Sequence, residues 1–394
     1  MKTIKSFFRF VLKMLKWGFL SFVVLAIVSA LYNLTLPTES KVKDLLTQNE
    51  KACISEAMNL QQKMGNEVWH GWGDLQIPVI VYNEKYAFLT GCSNPSAGWI
   101  KMPKEELRGT AWKVVKNDSF GGSSYYRQIL PNPDITPECF TVKVGERWVT
   151  SMQTKEYAAV TFYKNLHNEL PPVLNVIFPY KIFWQLLMGS TENYIAGLEH
   201  EAFHAFQGTE VPQRLAEAES PPFSKDYPWE KSGNGWNEEI NLLMEAYHTK
   251  SNEAASKLGA QFLAKRNERR EKSNLSDEII RYEQKREWLE GLAKYVELKI
   301  GVMASENKNY KHVIEIESVP GFKNYKTSAS RFKQQIGDVK GIGNRPADTR
   351  FYYTGMLQAV MLDRLMPDWK KEAFNEGVYL EDLLEIAAKN YLNK

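Results

Sequence analysis

Cysteine, histidine and net charge are all in short supply. Cys53, Cys92 and Cys139 are the only cysteines in 394 residues, and none forms a C-x-x-C pair. That excludes a cysteine-built zinc framework. Two readings of the three stay open. Outside the cytoplasm one disulfide could form, with Cys92 and Cys139 the better pair because both lie in β-type sequence. Alternatively, all three are buried small hydrophobes. The formal charge is only +3, and it is unevenly placed. Lys2, Lys5, Arg9, Lys13 and Lys16 precede the first acid, Glu39. Beyond those five, 45 basic residues face 47 acidic ones, a net of −2. So nearly neutral a body argues against nucleic acid as partner. No internal repeat or low-complexity segment is present, which excludes solenoid and propeller architectures.

Charge is missing altogether from Trp17 to Leu36, a run of 20 residues. At about 1.5 Å per residue that run spans a ~30 Å hydrocarbon core. Its basic flank predicts a cytoplasmic N-terminus and a body on the far side of the membrane. A cleaved signal peptide is the competing reading, with Val28-Ser29-Ala30 as a loose cleavage site. The run is long for a signal h-region, so an uncleaved single-pass anchor is favoured. The chain then divides into 1–16 basic and cytoplasmic, 17–36 transmembrane, 37–68 a membrane-proximal helix, 69–207 β-rich, and 208–394 helical. At 43 % hydrophobic content the body can bury a sizeable core.

Only six histidines occur, yet two of them form H-E-x-x-H: His200, Glu201 and His204. Composition alone produces that pattern in roughly one such chain in a hundred. Residues four apart share a helix face, so both imidazoles can hold one Zn²⁺. Glu201 then stands where a carboxylate can take a water's proton. Ser190 or Thr191 is expected to cap this helix and Gly208 to end it. Ile195, Leu198, Ala202 and Phe206 form its apolar stripe, with His200, His204 and Gly197 opposite.

A third ligand is needed, and Glu290 is the best candidate, in W-L-E-G-L-A-K-Y-V-E from Trp288 to Glu297. An H-E-x-x-H helix followed by a helix carrying E-G-L-A resembles the gluzincin metallopeptidases. The likeness is to those, such as the clostridial collagenases, whose third ligand is the Glu of E-G-L-A. It covers 194–207 and 287–297 only. It implies a zincin-like domain, a peptide or protein substrate, and a ligand set of His200, His204 and Glu290. The thermolysin-like pattern would put an acid four residues after the ligand. Here that residue is Lys294, and Glu297 is the nearby substitute.

The residues around Glu290 also admit a plainer reading. A helix is expected from Asp277 to Ile300, stopped by Gly301. Glu283, Glu287, Glu290, Lys294 and Glu297 lie on one side of it, the pattern of a solvated face. Glu287 is the reserve ligand, and Glu245 and His248 are weaker alternatives. Gly291 would let another backbone approach closely.

The remaining stretches place these motifs. Ser40 to Met64 reads as an amphipathic helix ended by Gly65. Ile77 to Tyr82 and Tyr86 to Leu89 read as a hairpin about Asn83-Glu84-Lys85, and Arg147 to Thr150 as a strand. Val173 to Phe178, between prolines, reads as an edge strand. Gly208 to Trp236, with Pro221-Pro222, reads as a Pro/Gly-rich cleft wall. One long helix should follow from Glu238 to Lys265. Arg266 to Lys272 should be a solvated helix end. Tyr353, with Tyr352 and Arg350 as alternatives, is the expected oxyanion donor.

The expectation is therefore an α+β protein with an N-terminal transmembrane helix. Its zincin-like domain should have a small mixed β-sheet and a mainly helical C-terminal half. The expected function is zinc-dependent peptide hydrolysis outside the cytoplasm. The alternatives are a non-catalytic metal-binding ectodomain and a zinc hydrolase with a non-peptide substrate.

Overall fold

The computed structural model describes residues 2–132, 135–139, 142–188, 190–219, 227–229, 233–342 and 347–392. The fold is α+β, as expected, and mostly helical. Helix α1 (Lys2–Asn33) contains a stretch, Val11–Asn33, long and apolar enough to cross a membrane. None of that stretch is buried against the body.

Helix α2 (Gln48–Val68) starts later and runs further than its periodicity suggests. Thr47 and Glu50 form a capping box, with Thr47 Oγ1 accepting from Glu50 N and the Glu50 carboxylate accepting from Thr47 N. Gly65 does not end the helix. It lets the Trp72–Gly73 backbone pass, since a Cβ there would lie 2.8 Å from Gly73 N.

Eight strands follow: β1 (Val79–Tyr82), β2 (Tyr86–Thr90), β3 (Trp99–Lys101), β4 (Glu106–Arg108), β5 (Lys113–Val114), β6 (Tyr126–Ile129), β7 (Val142–Val144) and β8 (Arg147–Gln153). They build one half-barrel sheet in the order β4-β3-β7-β8-β1-β2-β6-β5. The sheet is mixed, because β1 and β8 run parallel, but it is not small. Short strands below the usual length hid most of it from pattern reading. The β1–β2 hairpin is as expected. Asn83 Oδ1 closes its turn by accepting the N–H groups of Lys85 and Tyr86, both at 2.9 Å. Alternate β1 residues face two cores. Val79 and Val81 join the main cluster, while Ile80 and Tyr82 join a second cluster on the sheet's other face.

Helices α3 (Lys155–Glu169), α4 (Pro172–Ile177) and α5 (Tyr180–Met188) lead to the motif helix α6 (Thr191–Glu210). The expected edge strand at Val173 is thus a helix. Pro172 at its first turn supplies a pre-set φ and lacks only an N–H that would be unpaired anyway. Then come α7 (Pro212–Glu219), α8 (Gly233–His248) and α9 (Asn252–Lys272). Part of the expected cleft wall is therefore helical, and Pro221-Pro222 lies outside the described residues. The single long helix is two, because Ser251 caps α9 by accepting from Ala254 N.

Next is α10 (Asp277–Arg286), continued by a wide π-turn (Glu287–Gly291) into α11 (Leu292–Glu306). This run passes Gly301 without stopping. Helices α12 (Ser328–Ile342), α13 (Thr349–Leu365), α14 (Trp369–Glu372) and α15 (Leu380–Leu392) complete the chain. Helix α6 is the centre of the architecture. It packs on β8 on one side and on α2 and α11 on the other.

Of the charges expected to be solvated, Glu271 and Lys272 are exposed, but the three arginines are interior. Arg266, Arg269 and Arg270 of α9 are buried among Glu239, Glu283, Glu287 and Glu381. Arg266 reaches Glu287 with two nitrogens, at 2.6 and 2.8 Å. Thr354 and Gln358 of α13 donate to the same carboxylate. Buried charges survive only when paired, and this network joins α8, α9, α10, α13 and α15 behind the π-turn.

Candidate metal centre

Helix α6 starts where its sequence says. Ser190 Oγ accepts from Asn193 N at 3.1 Å, and Glu192 occupies the first turn. Its end differs. Gly208 lies inside the helix, bare because a Cβ would stand 2.5 Å from the Trp148 indole of β8. The motif face differs too. His200 and His204 are both buried rather than turned to an open side. The π-turn, α11 and Tyr352 of α13 cover that face.

His200, His204 and Glu290 come together as one cluster, every ligand atom within 4.8 Å of the others. Glu290 Oε2 lies 3.3 Å from His200 Nε2 and 3.4 Å from His204 Nε2. Those separations are long for a charge-assisted hydrogen bond, which prefers about 2.7–2.9 Å. They do match a metal shell. Tetrahedral Zn²⁺ with bonds of about 2.0–2.1 Å sets neighbouring ligand atoms about 3.3–3.4 Å apart. The donor set of two imidazoles and one carboxylate fits the same ion.

Each of the three candidate ligands is held from behind. Gln207 Nε2 donates to the carbonyls of Trp288 and Leu289 in the π-turn, at 3.2 and 3.4 Å. That leaves Gln207 Oε1 facing His204 Nδ1 at 2.8 Å. The proton therefore belongs on Nδ1, and the Nε2 lone pair faces Glu290. Glu297 Oε2 lies 3.3 Å from His200 Nδ1 and orients that ring the same way. Arg286, one turn before Glu290, donates to its other oxygen at 2.9 Å. Glu290 Oε2 is thereby directed at both histidines.

The electrostatics follow from burial and these contacts. Burial opposes ionisation of Glu290, but His204, His200 and Arg286 outweigh it and hold its carboxyl well below the usual range. Burial likewise works against a charged His200, yet Glu290 and Glu297 raise it to about 10. Burial lowers His204. For Glu201, burial dominates; Glu290 and Glu297 add to it, His200 opposes, and its carboxyl is pushed up to about 8. Glu201 is buried, and its Oε2 has no hydrogen-bond partner among the described residues.

The other candidates scatter. Glu287 belongs to the arginine network, and Glu245 and His248 lie exposed on α8, outside the cluster. Tyr353 donates to Gln335 Oε1 at 2.9 Å, so its hydroxyl is engaged with α12. Its neighbour Tyr352 stacks on His200, ring centroids 5.9 Å apart and nearly parallel. Arg350 is buried against Trp229 and Trp236. Cys53, Cys92 and Cys139 are all free, and only Cys53 is buried. Gln207 and Arg286 were missed by sequence reasoning. Their spacings, three after His204 and four before Glu290, are the signals that point to them. Comparison with protein-family models, with curated proteins and with solved structures returns no match.

Proposed function

We propose that this chain is a membrane-anchored zinc metallopeptidase of gluzincin type, with α1 as the anchor and the body outside the cytoplasm. One observation carries the reading. The buried Glu201, whose Oε2 has no hydrogen-bond partner among the described residues, adjoins two histidines and a glutamate whose ligand atoms lie close enough to share one ion. Structural zinc sites have no use for such a carboxylate, whereas hydrolysis needs a base there.

His200 Nε2, His204 Nε2 and Glu290 Oε2 would hold the ion, which supplies Lewis acidity toward water and the scissile carbonyl. The protein's own groups do the rest. Gln207, Glu297 and Arg286 keep the three ligands aimed at one point. Glu201 accepts the proton of the attacking water and returns it to the leaving amine. Tyr352, whose ring stacks on His200 and whose hydroxyl donates to the Glu290 carboxylate, would be the donor to the developing oxyanion. Peptide is the substrate class by the E-G-L-A resemblance.

The test separates two glutamates. Glu201→Gln should keep fold and zinc but lose most hydrolysis of a mixed peptide pool, because an amide cannot accept the proton. Glu290→Gln should weaken zinc binding itself. Full activity in Glu201→Gln would refute the mechanism, and parent-like zinc affinity in Glu290→Gln would remove Glu290 from the site.

A further inference from the structure

Between Pro171 and Ser190 lie twenty residues with a single charge, Lys181, and no acid. They form α4 and α5, of six and nine residues. Both are far too short to span a bilayer, which takes about 20. Neither is folded away. Val173 and Leu186 are each 76 % exposed, and Leu174, Val176, Ile182 and Leu187 are exposed beside them. A soluble surface rarely presents so contiguous an apolar patch.

The position of the patch identifies what covers it. Asn33, the last residue of α1, donates to the carbonyls of Val176 and Phe178 at 2.9 and 2.8 Å. Lys181 donates to the Tyr32 hydroxyl and lies over its ring. The turn between α4 and α5 is therefore stitched to the end of the apolar stretch of α1. Tyr32 and Lys181 meet there, and Trp184 follows three residues on in α5; these are residue types that favour a membrane–water boundary. Phe162 of α3 packs on Trp184 at 5.2 Å and supports the hairpin from the body side.

We infer that α4 and α5 form an interfacial hairpin that inserts its apolar face into the leaflet from which α1 emerges. This rests on reading α1 as a membrane anchor. Amphipathic segments of this kind lie in the interface plane and hold by buried apolar area. The hairpin also leads straight into the motif helix, capped by Ser190. His200 is nine residues from the start of α6, so it lies within about 15 Å of that start. The centre is thereby tethered near the bilayer, and scissile bonds close to the membrane are its natural targets.

The test uses the full chain with a specific protease site inserted between the exposed Thr38 and Glu39. It is reconstituted into vesicles of phosphatidylcholine with a minor share of phosphatidylglycerol. Uncleaved, the chain should float with the vesicles and resist alkaline carbonate. After cleavage the severed body should still float. The triple variant Val173→Ser, Ile182→Ser, Leu186→Ser should lower the vesicle-bound fraction of severed body roughly tenfold or more. These side chains are exposed, so zinc binding and the thermal transition should persist. If the triple variant does not fold, Leu186→Ser alone should shift release in the same direction. Leu107→Ser, at another exposed leucine, on β4, should change nothing.

A parent body that leaves the vesicles on cleavage, as monomer or dimer, overturns the hairpin proposal alone. So does a folded triple variant that stays bound as the parent does, for then α1 contacts and not lipid retain it. An uncleaved chain washed off by carbonate overturns the anchor reading, and the hairpin with it.

Discussion

Gly355→Ala adds one methyl group to α13, touches no ligand, and should nevertheless weaken zinc binding. At the crossing of α13 with the π-turn, two glycines meet. A Cβ on Gly355 would stand 2.5 Å from Glu287 O and 2.8 Å from Gly291 Cα. These are backbone atoms, and ordinary contact begins at about 3.4 Å. The helices must therefore part by close to an ångström. Overpacking of this kind costs about 1–3 kcal/mol. The displaced segment carries Glu290, whose distance to a metal tolerates only about 0.2 Å of error. A loss of about 10–100-fold in zinc affinity is expected, the range seen when supports behind a ligand are removed. Competition titration against a chelator measures it, and a thermal melt reports the packing cost. Gly337→Ala is the control. It lies exposed in α12 with nothing within 4 Å of its would-be Cβ. It should gain up to about 1 kcal/mol from helix propensity and leave zinc alone. Parent-like affinity and melting in Gly355→Ala would refute the claim that this glycine contact sets the Glu290 position.

Three further outcomes follow from the same geometry. Gln207→Leu should lower zinc affinity by about 10–100-fold in the same titration, because it frees the His204 ring and strands two π-turn carbonyls. Arg266→Met leaves Glu239, Glu287 and Glu381 without their shared partner. Denaturant unfolding of the metal-free protein should register a loss of about 3–5 kcal/mol, and a loss under 1 would discount the network. The third concerns acid. Burial works against ionised Glu381, but Arg270 and Arg266 prevail and hold its carboxyl down at about 2. A depressed carboxyl gives its full stability above its unfolded value near 4.5 and loses it as pH falls toward 2. Glu381→Gln should therefore flatten the acid limb of metal-free stability between those values, and an unchanged limb would contradict the pairing.

What could be read from the sequence was local, and what could not was a matter of partners. Spacing of four residues placed His200 and His204 on one face, because helix geometry is intrinsic to the backbone. Gly291 announced a close approach, which the Gly355 backbone makes. Ser190 marked a helix start by the same short-range logic. The charged stripe from Glu283 to Glu297 shows where that logic fails. Its spacing is the same for a solvated face and for an interior one, and only the counter-charges decide. Those counter-charges come from Arg266, Arg269 and Arg270 across the fold, and from His200 on α6. Val173 to Phe178 failed for a related reason. Its β-branched residues suit a strand, but prolines before it and Asn33 beyond it favour one helical turn against α1. The π-turn had no sequence signal at all. Yet it is what turns the Trp288 and Leu289 carbonyls toward Gln207, and so fixes the tautomer of His204. The candidate ligands are written in motifs, whereas their orientation depends on contacts 80 to 90 residues away in the chain. A sequence that kept H-E-x-x-H and E-G-L-A but replaced Gln207, Arg286 and Gly355 would carry the motifs without the aim. Such a triple variant should bind zinc more weakly than any of its single parents.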